Sequence, residues 1–600
     1  MCAVFGVLGE FDEATAKTAL ARLTHRGPDY CGVELRNNLF FAHQRLSILD
    51  ADARSHQPLK HENILLSFNG EIYNFQELKS KLDFDFKTQS DSEVIIAAYL
   101  QWGVDFVQHL RGMFAIALLD GETLYLFRDR LGKKPLFYLE QTNTFAFASE
   151  IKGVLPFLRK KEMNDDALLS YLTFLAPTPP YTFFKGIHKL AAGEYLIYKD
   201  KHVKVQKYFD LLDAKPNLIT SKDEAVHTLS SLLEESIELR LNADVPMASL
   251  LSGGIDSASL NAYALKHGAK LQTYTLGYKE FAKYDERANA KESAAFLGLA
   301  NTEVEICQSD FINASEKVFD VLDEPLNDPA AIPLYLLFEK IKEDGYKVVL
   351  SGEGSDELFL GYRQYFEYLD IEQAANLGHK NWLKKYFRSN FSMNREWEWY
   401  KRVFDETLLF RTSGEKFTDL QKNLLLRRNV KDNESLKYLK PYRDTFENSE
   451  HTDESIWYSY VDLNIFQAEH FLTKLDRVSM AHSIESRTPF LDYKLASCVF
   501  SIAPQLRYQD KTTKSLLKEI MKTQLDEKIL KRKKKGFSNP YMEYLIASGG
   551  LELIKEVNMQ TGLFREEELE KYIQTASKGS FKQHLWGLYV LSVWIKKHLL

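Results

Sequence analysis

Two clusters of residues in this 600-residue chain have the make-up of reactive sites. In Leu250-Leu251-Ser252-Gly253-Gly254-Ile255-Asp256-Ser257 an apolar run breaks on two glycines, offers hydroxyls and a carboxylate, and leads into a helical pattern. Backbone N–H groups turned outward at Gly253 and Gly254, with a helix N-terminus behind them, favour a bound anion. No Lys follows the glycines as it would in a Walker loop, so the chemistry expected is release of pyrophosphate from a nucleotide. Asp256 adds a ligand for the accompanying magnesium. The second cluster is at the start. Cys2 follows the initiator Met directly, and removal of that Met leaves a thiol beside a free α-amine. An α-amine titrates near roughly 7.7 to 8.0, so one residue can supply both nucleophile and base.

Polar groups suited to an amino-acid amide follow Cys2. They fall in four turn-prone clusters between apolar strands: His25-Arg26-Gly27-Pro28-Asp29, Arg45-Leu46-Ser47-Ile48, Asn69-Gly70-Glu71-Ile72-Tyr73-Asn74 and Ser90-Asp91-Ser92-Glu93. Arg45 can grip an α-carboxylate through two hydrogen bonds, and Asp91 can hold an α-ammonium. Asn69 and the N–H of Gly70 can face the oxyanion of a tetrahedral intermediate.

Strands are expected at 3–8, 39–42, 64–68, 113–119, 124–127 and 144–148, with helical periodicity between them. Their continuous apolarity suggests sheets covered on both faces, a layered α+β domain. Residues 156–218, with Pro177-Thr178-Pro179-Pro180, read as connecting structure with a few strands, and the boundary falls at 215–221. Beyond it helices and strands alternate: helix 222–241, strand 245–251, helix 257–267, strand 271–276, helix 285–297, strand 303–306, helices through 342, strand 347–350. This is a doubly wound α/β pattern, whose ligands bind at the carboxyl ends of strands, where Ser252-Gly253-Gly254 and Ser351-Gly352-Glu353-Gly354 both lie. From about residue 362 the chain reads as helical and charged, without repeats. The apolar run 585–595 is too short for a bilayer and reads as a packed terminal helix.

The length requires two or three domains. Cys2, Cys31, Cys307 and Cys498 form no CxxC pair or metal-ligand spacing, which fits a reducing cytoplasm and no structural zinc. A net charge of -7 leaves no footprint for a nucleic-acid backbone. Neither a signal peptide nor a membrane span is expected.

The chain resembles the glutamine-hydrolysing asparagine synthetases over nearly its whole length. The glutaminase motifs are Cys2-Ala3-Val4-Phe5-Gly6, Arg26-Gly27-Pro28-Asp29, Arg45-Leu46-Ser47-Ile48, Asn69-Gly70-Glu71-Ile72-Tyr73-Asn74 and Arg128-Asp129-Arg130-Leu131-Gly132. Those of the synthetase half are Leu251-Ser252-Gly253-Gly254-Ile255-Asp256-Ser257, Tyr284-Asp285-Glu286, Ser351-Gly352-Glu353-Gly354-Ser355-Asp356-Glu357, Lys474-Leu475-Asp476-Arg477-Val478-Ser479-Met480-Ala481, Arg487-Thr488-Pro489-Phe490-Leu491-Asp492 and Lys535-Gly536-Phe537. The resemblance implies an α+β N-terminal-nucleophile αββα sandwich in residues 1–215. An α/β doubly wound ATP-pyrophosphatase domain with a helical C-terminal part would follow in 216–600. It implies attack by Cys2 on glutamine held by Arg45, Asn69, Gly70, Glu71 and Asp91. ATP would lie against Leu251, Ser252, Gly253, Gly254, Asp256, Ser257, Leu276, Ser351 and Gly352, with Mg2+ on Asp256 and Asp356. Glu353 would be the base for ammonia and Lys514 would steady the second transition state, with Lys511 close enough to leave the register open. The implied substrates are glutamine, aspartate and ATP; a homodimer is allowed for.

Two positions depart from the pattern. Ala258 stands where a second serine is frequent, and Leu360 replaces a frequent glycine, which would bulk out the loop after Asp356 and so bears on the acceptor pocket. Ammonia loses its nucleophilic lone pair in bulk water, so an internal channel between the domains is expected. The rival readings are amidation of another carboxylate on a cell-surface sugar or peptide precursor, a β-lactam-forming relative, and a non-catalytic sensor. Intact Cys2, Asp256 and Glu353 weigh against the sensor, and an intact Cys2 site against the β-lactam former. In Lys531-Arg532-Lys533-Lys534-Lys535 only Lys535 is expected to reach phosphate, the others forming a solvated face. Trp397-Glu398-Trp399-Tyr400 and Tyr458-Ser459-Tyr460 read as core packing.

Overall fold

The computed structural model describes residues 2–377, 379–389, 395–533 and 539–600. Among these, the strands of the first third form two six-stranded sheets whose paired strands run antiparallel. In the first sheet Ala3–Gly9 is central, between Leu39–Arg45 and Thr144–Ala148. In the second, Gly112–Asp120 pairs with Ile64–Ile72 on one side and Thr123–Arg128 on the other. The strand period of two explains the unbroken apolar runs. Val4 points to the core between the sheets with Leu65 and Ala117, whereas Phe5 and Val7 face helix Glu13–Ala21. Leu66 and Phe68 likewise face helix Ser92–Trp102. Helices therefore cover the outer faces, and the layers run αββα.

Several strands extend past their expected ends. Arg45 closes Leu39–Arg45, and Asn69, Gly70 and Glu71 lie within Ile64–Ile72, with Asn69 opposite Ala115 and Gly70 opposite Phe114. These polar residues were expected in turns; they are strand residues whose ladder bonds hold them rigidly. Residues 156–218 are also more than a connection. Helix Asp165–Phe174 is buried on nearly all sides, with the Tyr171 hydroxyl donating to the Gly587 carbonyl at 2.8 Å. A helix buried all round carries no amphipathic stripe, so its period was invisible.

The third sheet is parallel, in the order Asn301–Ile306, Gln272–Tyr278, Met247–Leu250, Val348–Leu350, Glu485–Arg487. The chain winds outward from Met247–Leu250 in one direction and returns on its other side at Val348–Leu350, so the crevice between these two is the topological switch point. Helices follow. They include a π-helical stretch, Asp462–Phe471, running into Leu472–Met480, and the expected terminal helix, Lys582–His598. No helix among the described residues is long and apolar enough to cross a membrane. Trp399, Tyr458 and Tyr460 are buried as core, while Tyr400 is 38% exposed.

The αββα layers and the parallel sheet meet through buried ion pairs. Arg26 reaches Glu150 at 2.7 Å and Asp476 at 2.8 Å; Arg128 reaches Glu469 at 2.9 Å; Arg111 reaches Asp492 at 2.9 Å. A buried charge is tolerated only with a well-placed partner, so these pairs fix one orientation of the two halves.

Candidate active sites

Cys2 immediately precedes the central strand Ala3–Gly9 of the first sheet and is 8% exposed. It shares a pocket with Arg45, Gly70, Glu71 and Asp91. The Cys2 nitrogen donates to Asn69 Oδ1 at 3.0 Å. This leaves the buried Asn69 Nδ2 without a protein partner, a donor available beside the thiol. Burial pushes the Cys2 thiol up from its ordinary value, while the terminal amine and Arg45 pull it down. Arg45 donates to the carbonyls of Asp52 and Leu49 at 3.1 and 3.4 Å, which locks its guanidinium at the pocket wall. Asp91 accepts the Ile72 N–H at 2.8 Å. Burial and then the Asp91 charge hold the Glu71 carboxyl well above the usual carboxylate range, with Arg487 opposing. Glu485 and Arg487 come from the parallel sheet. Glu485 lines this pocket and Arg487 Nη2 lies 3.3 Å from Glu71 Oε2. Sequence reasoning gave neither a role; their motif was visible, but contacts across more than four hundred residues were not.

The larger cavity, about 370 Å³, occupies the switch-point crevice. Leu251, Ser252, Gly253, Gly254, Asp256, Ser257, Leu276, Ser351, Gly352, Glu353, Asp356 and Lys514 all line it. Gly253 has φ +76, and a Cβ there would lie 2.6 Å from the Asn289 carbonyl carbon, so only glycine suits the turn. The helix begins at Ile255, two residues earlier than expected, and Ser257 Oγ braces the loop by accepting the Ser252 N–H at 3.2 Å. Asp256 and Asp356 converge on Lys514, whose Nζ lies 2.6 Å from Asp256 Oδ1 and 2.7 Å from Asp356 Oδ1. Burial pushes this ammonium down, yet the two carboxylates overcome that and hold it above its ordinary value. Lys514 itself has φ +56, backbone strain of the kind that collects at working sites. Lys511 instead pairs at the surface with Asp370.

Two expectations are corrected here. Arg532 is no solvated charge: it lines the crevice and its Nη1 donates to the Asn289 carbonyl at 3.1 Å, to Ser293 Oγ at 2.9 Å and to the Gly253 carbonyl. Lys533 lines the crevice too. Leu360, at φ +52, is wholly buried in the apolar core rather than bulking out the cavity; Gly361 and Tyr362 line that side with Phe471 and Lys474. Lys535, Gly536 and Phe537 lie outside the described residues.

Mg2+ takes one or two carboxylates together with substrate phosphates. Asp256 and Asp356 converge closely enough to supply two, and among the described residues no group of three or more His, Cys, Asp or Glu side chains is placed to hold an ion. A buried thiol beside Arg45, Glu71 and Asp91 and a crevice lined by the Gly253-Gly254 loop thus occur in one chain.

The glutamine amidotransferase domain family matches residues 1–209, and the asparagine synthase family matches 228–596. Asparagine synthetase [glutamine-hydrolyzing] 1 of Bacillus subtilis (strain 168) is 30% identical over 99% of this chain and 96% of its own. Asparagine synthetase B [glutamine-hydrolyzing] of Escherichia coli (strain K12) is 34% identical over 60% of this chain and 65% of its own. Amidase chry2 of Gibberella zeae is 29% identical over 87% of this chain and 84% of its own. The chain belongs to the glutamine-hydrolysing asparagine synthase family.

Proposed function

We propose that the protein makes asparagine from aspartate, glutamine and ATP, with residues 1–215 as the glutaminase and 216–600 as the synthetase. One observation carries this reading: a thiol pocket shaped for an amino-acid amide and a nucleotide crevice occur in one chain, locked together by buried ion pairs. With Met1 removed, the α-amine of Cys2 takes the thiol proton and Sγ attacks the glutamine amide carbon. Asn69 Nδ2 and the Gly70 N–H receive the oxyanion, Arg45 the α-carboxylate, and Asp91 with Glu71 the α-ammonium. Ammonia leaves, and water releases glutamate from the thioester.

In the crevice the β-carboxylate of aspartate attacks the α-phosphorus of ATP and pyrophosphate leaves. Loop N–H groups, Arg532 and Lys514 offset the charge on the phosphates. Mg2+, held by Asp256 and Asp356, would act as a Lewis acid on phosphate oxygens. Ammonia then attacks the acyl carbon, Glu353 takes its proton, and AMP departs. The ammonia passes between the halves out of bulk water. Four free cysteines fit a cytoplasmic setting, and light scattering tests for a homodimer.

Cys2→Ala is the direct test. Glutamine-dependent synthesis is expected to vanish while synthesis from added ammonium persists; loss of both would contradict separable sites. AMP formed only with a carboxylate other than aspartate would favour the rival acceptor on a cell-surface precursor.

A further inference from the structure

Three buried carboxylates line the Cys2 pocket: Glu71, Asp91 and Glu485. The third comes from the other half of the chain, on the edge strand Glu485–Arg487 of the parallel sheet. The guanidinium of Arg487 is wholly buried and held from its own side: Nε donates to Glu485 Oε1 at 2.6 Å, and Nη1 to the Arg240 and Asn242 carbonyls at 2.8 and 2.7 Å. Its remaining nitrogen, Nη2, reaches Glu71 Oε2 at 3.3 Å. The backbone carbonyl of Arg487 accepts the Ser351 N–H at 2.9 Å, so the support of the nucleotide loop uses main chain and not this side chain.

We propose that Arg487 and Glu485 are positioning residues of the glutamine site, supplied by the nucleotide-binding half: Arg487 holds the Glu71 carboxyl in place beside the substrate α-ammonium, and Glu485 completes the acidic wall. The proposal rests on the reading of this pocket as the glutamine site.

The charged side chains that face Glu71 are Asp91, Glu485 and Arg487. Two adjacent buried carboxylates cannot both ionise unless a cation offsets them. Arg487 opposes the raised Glu71 carboxyl, so removing it favours the protonated form further and weakens the hold of the pocket on an ammonium group. The chemical step at Cys2 does not involve Arg487, so the effect belongs to KM. Replacing Glu485 by a neutral residue acts the other way, because its charge raises the Asp91 carboxyl.

The test uses the full-length chain, with glutamate release and ammonium-driven AMP formation measured across pH. Arg487→Met is expected to raise KM for glutamine about tenfold or more with kcat changed less than about threefold. It should also move the acidic limb of kcat/KM to higher pH by about one unit. Arg487→Lys should restore part of both, and ammonium-driven AMP formation should stay within about twofold of the parent. Glu485→Gln should move the same limb to lower pH, and this arm decides the matter if Arg487→Met does not fold. Unchanged KM and limb in these variants would overturn the proposal, as would kcat and ammonium-driven synthesis falling in step with KM. A parent enzyme that releases no glutamate from glutamine would refute the reading of the pocket instead.

Discussion

Burial, with the Glu485 charge assisting, pushes the Asp91 carboxyl up to about 6. Below that pH the group is neutral and offers a glutamine α-ammonium no counter-charge. KM for glutamine is therefore expected to rise as pH falls through about 6, by about tenfold for each unit below it. Initial-rate glutaminase assays across that range check this, and a flat KM would contradict the role of Asp91. Lys514 makes a second residue-level case. Lys514→Met removes the ammonium that bridges Asp256 and Asp356 and takes a donor from the phosphates. Synthetase kcat is expected to fall about a hundredfold or more with glutaminase kcat unchanged, measured as AMP and glutamate formation on the same preparation. At this scale the sequence was highly legible. Cys2, Asp91 and Asp256 stand out by chemical type and context, whereas Asp356 and Lys514 came only from the family resemblance, with the register of Lys514 against Lys511 left open. Arg532 did not, because a basic run looks solvated until the fold turns one of its members onto the Gly253 carbonyl.

Elements place these residues through backbone geometry that tolerates little change. Gly354 follows Glu353 with φ +92, and a Cβ there would lie 2.3 Å from Leu491 Cδ2. Gly354→Ala must strain the backbone and displace Leu491, a cost of about 1–3 kcal/mol. Thermal unfolding should show a lower Tm, and AMP formation should fall more than glutamate release because the loop carries Glu353. An unchanged Tm would mean the loop has slack. The strands Ile64–Ile72 and Met247–Leu250 were legible from their apolar runs, although the polar ends of the first were taken for turns. The π-helical stretch Asp462–Phe471, which brings Phe471 to the crevice and runs into the helix bearing Lys474, was not legible. Its insertion of extra residues per turn leaves no propensity signal, and all its residues but Asn464 and Phe471 are buried.

At the scale of the whole molecule, the two halves share buried charge as well as apolar core. Arg26 and Glu150 from the first half meet Asp476 and Arg477 from the second, with Glu150 and Arg477 2.9 Å apart. These pairs bring together residues hundreds of positions apart, which is why they were not legible in the sequence. The proposed sheltered route for ammonia would follow the segment from Glu485, which lines the Cys2 pocket, to Leu491, which packs at Gly354 of the nucleotide loop. The most direct measurement supplies amide-labelled glutamine, ATP and aspartate in the presence of excess unlabelled ammonium, and follows label in asparagine against AMP and pyrophosphate. The expected result is asparagine carrying mostly the glutamine label, with AMP and pyrophosphate formed in equal amounts. Asparagine whose nitrogen matches the bulk ammonium, or AMP formed without asparagine, would contradict an enclosed transfer between the two sites.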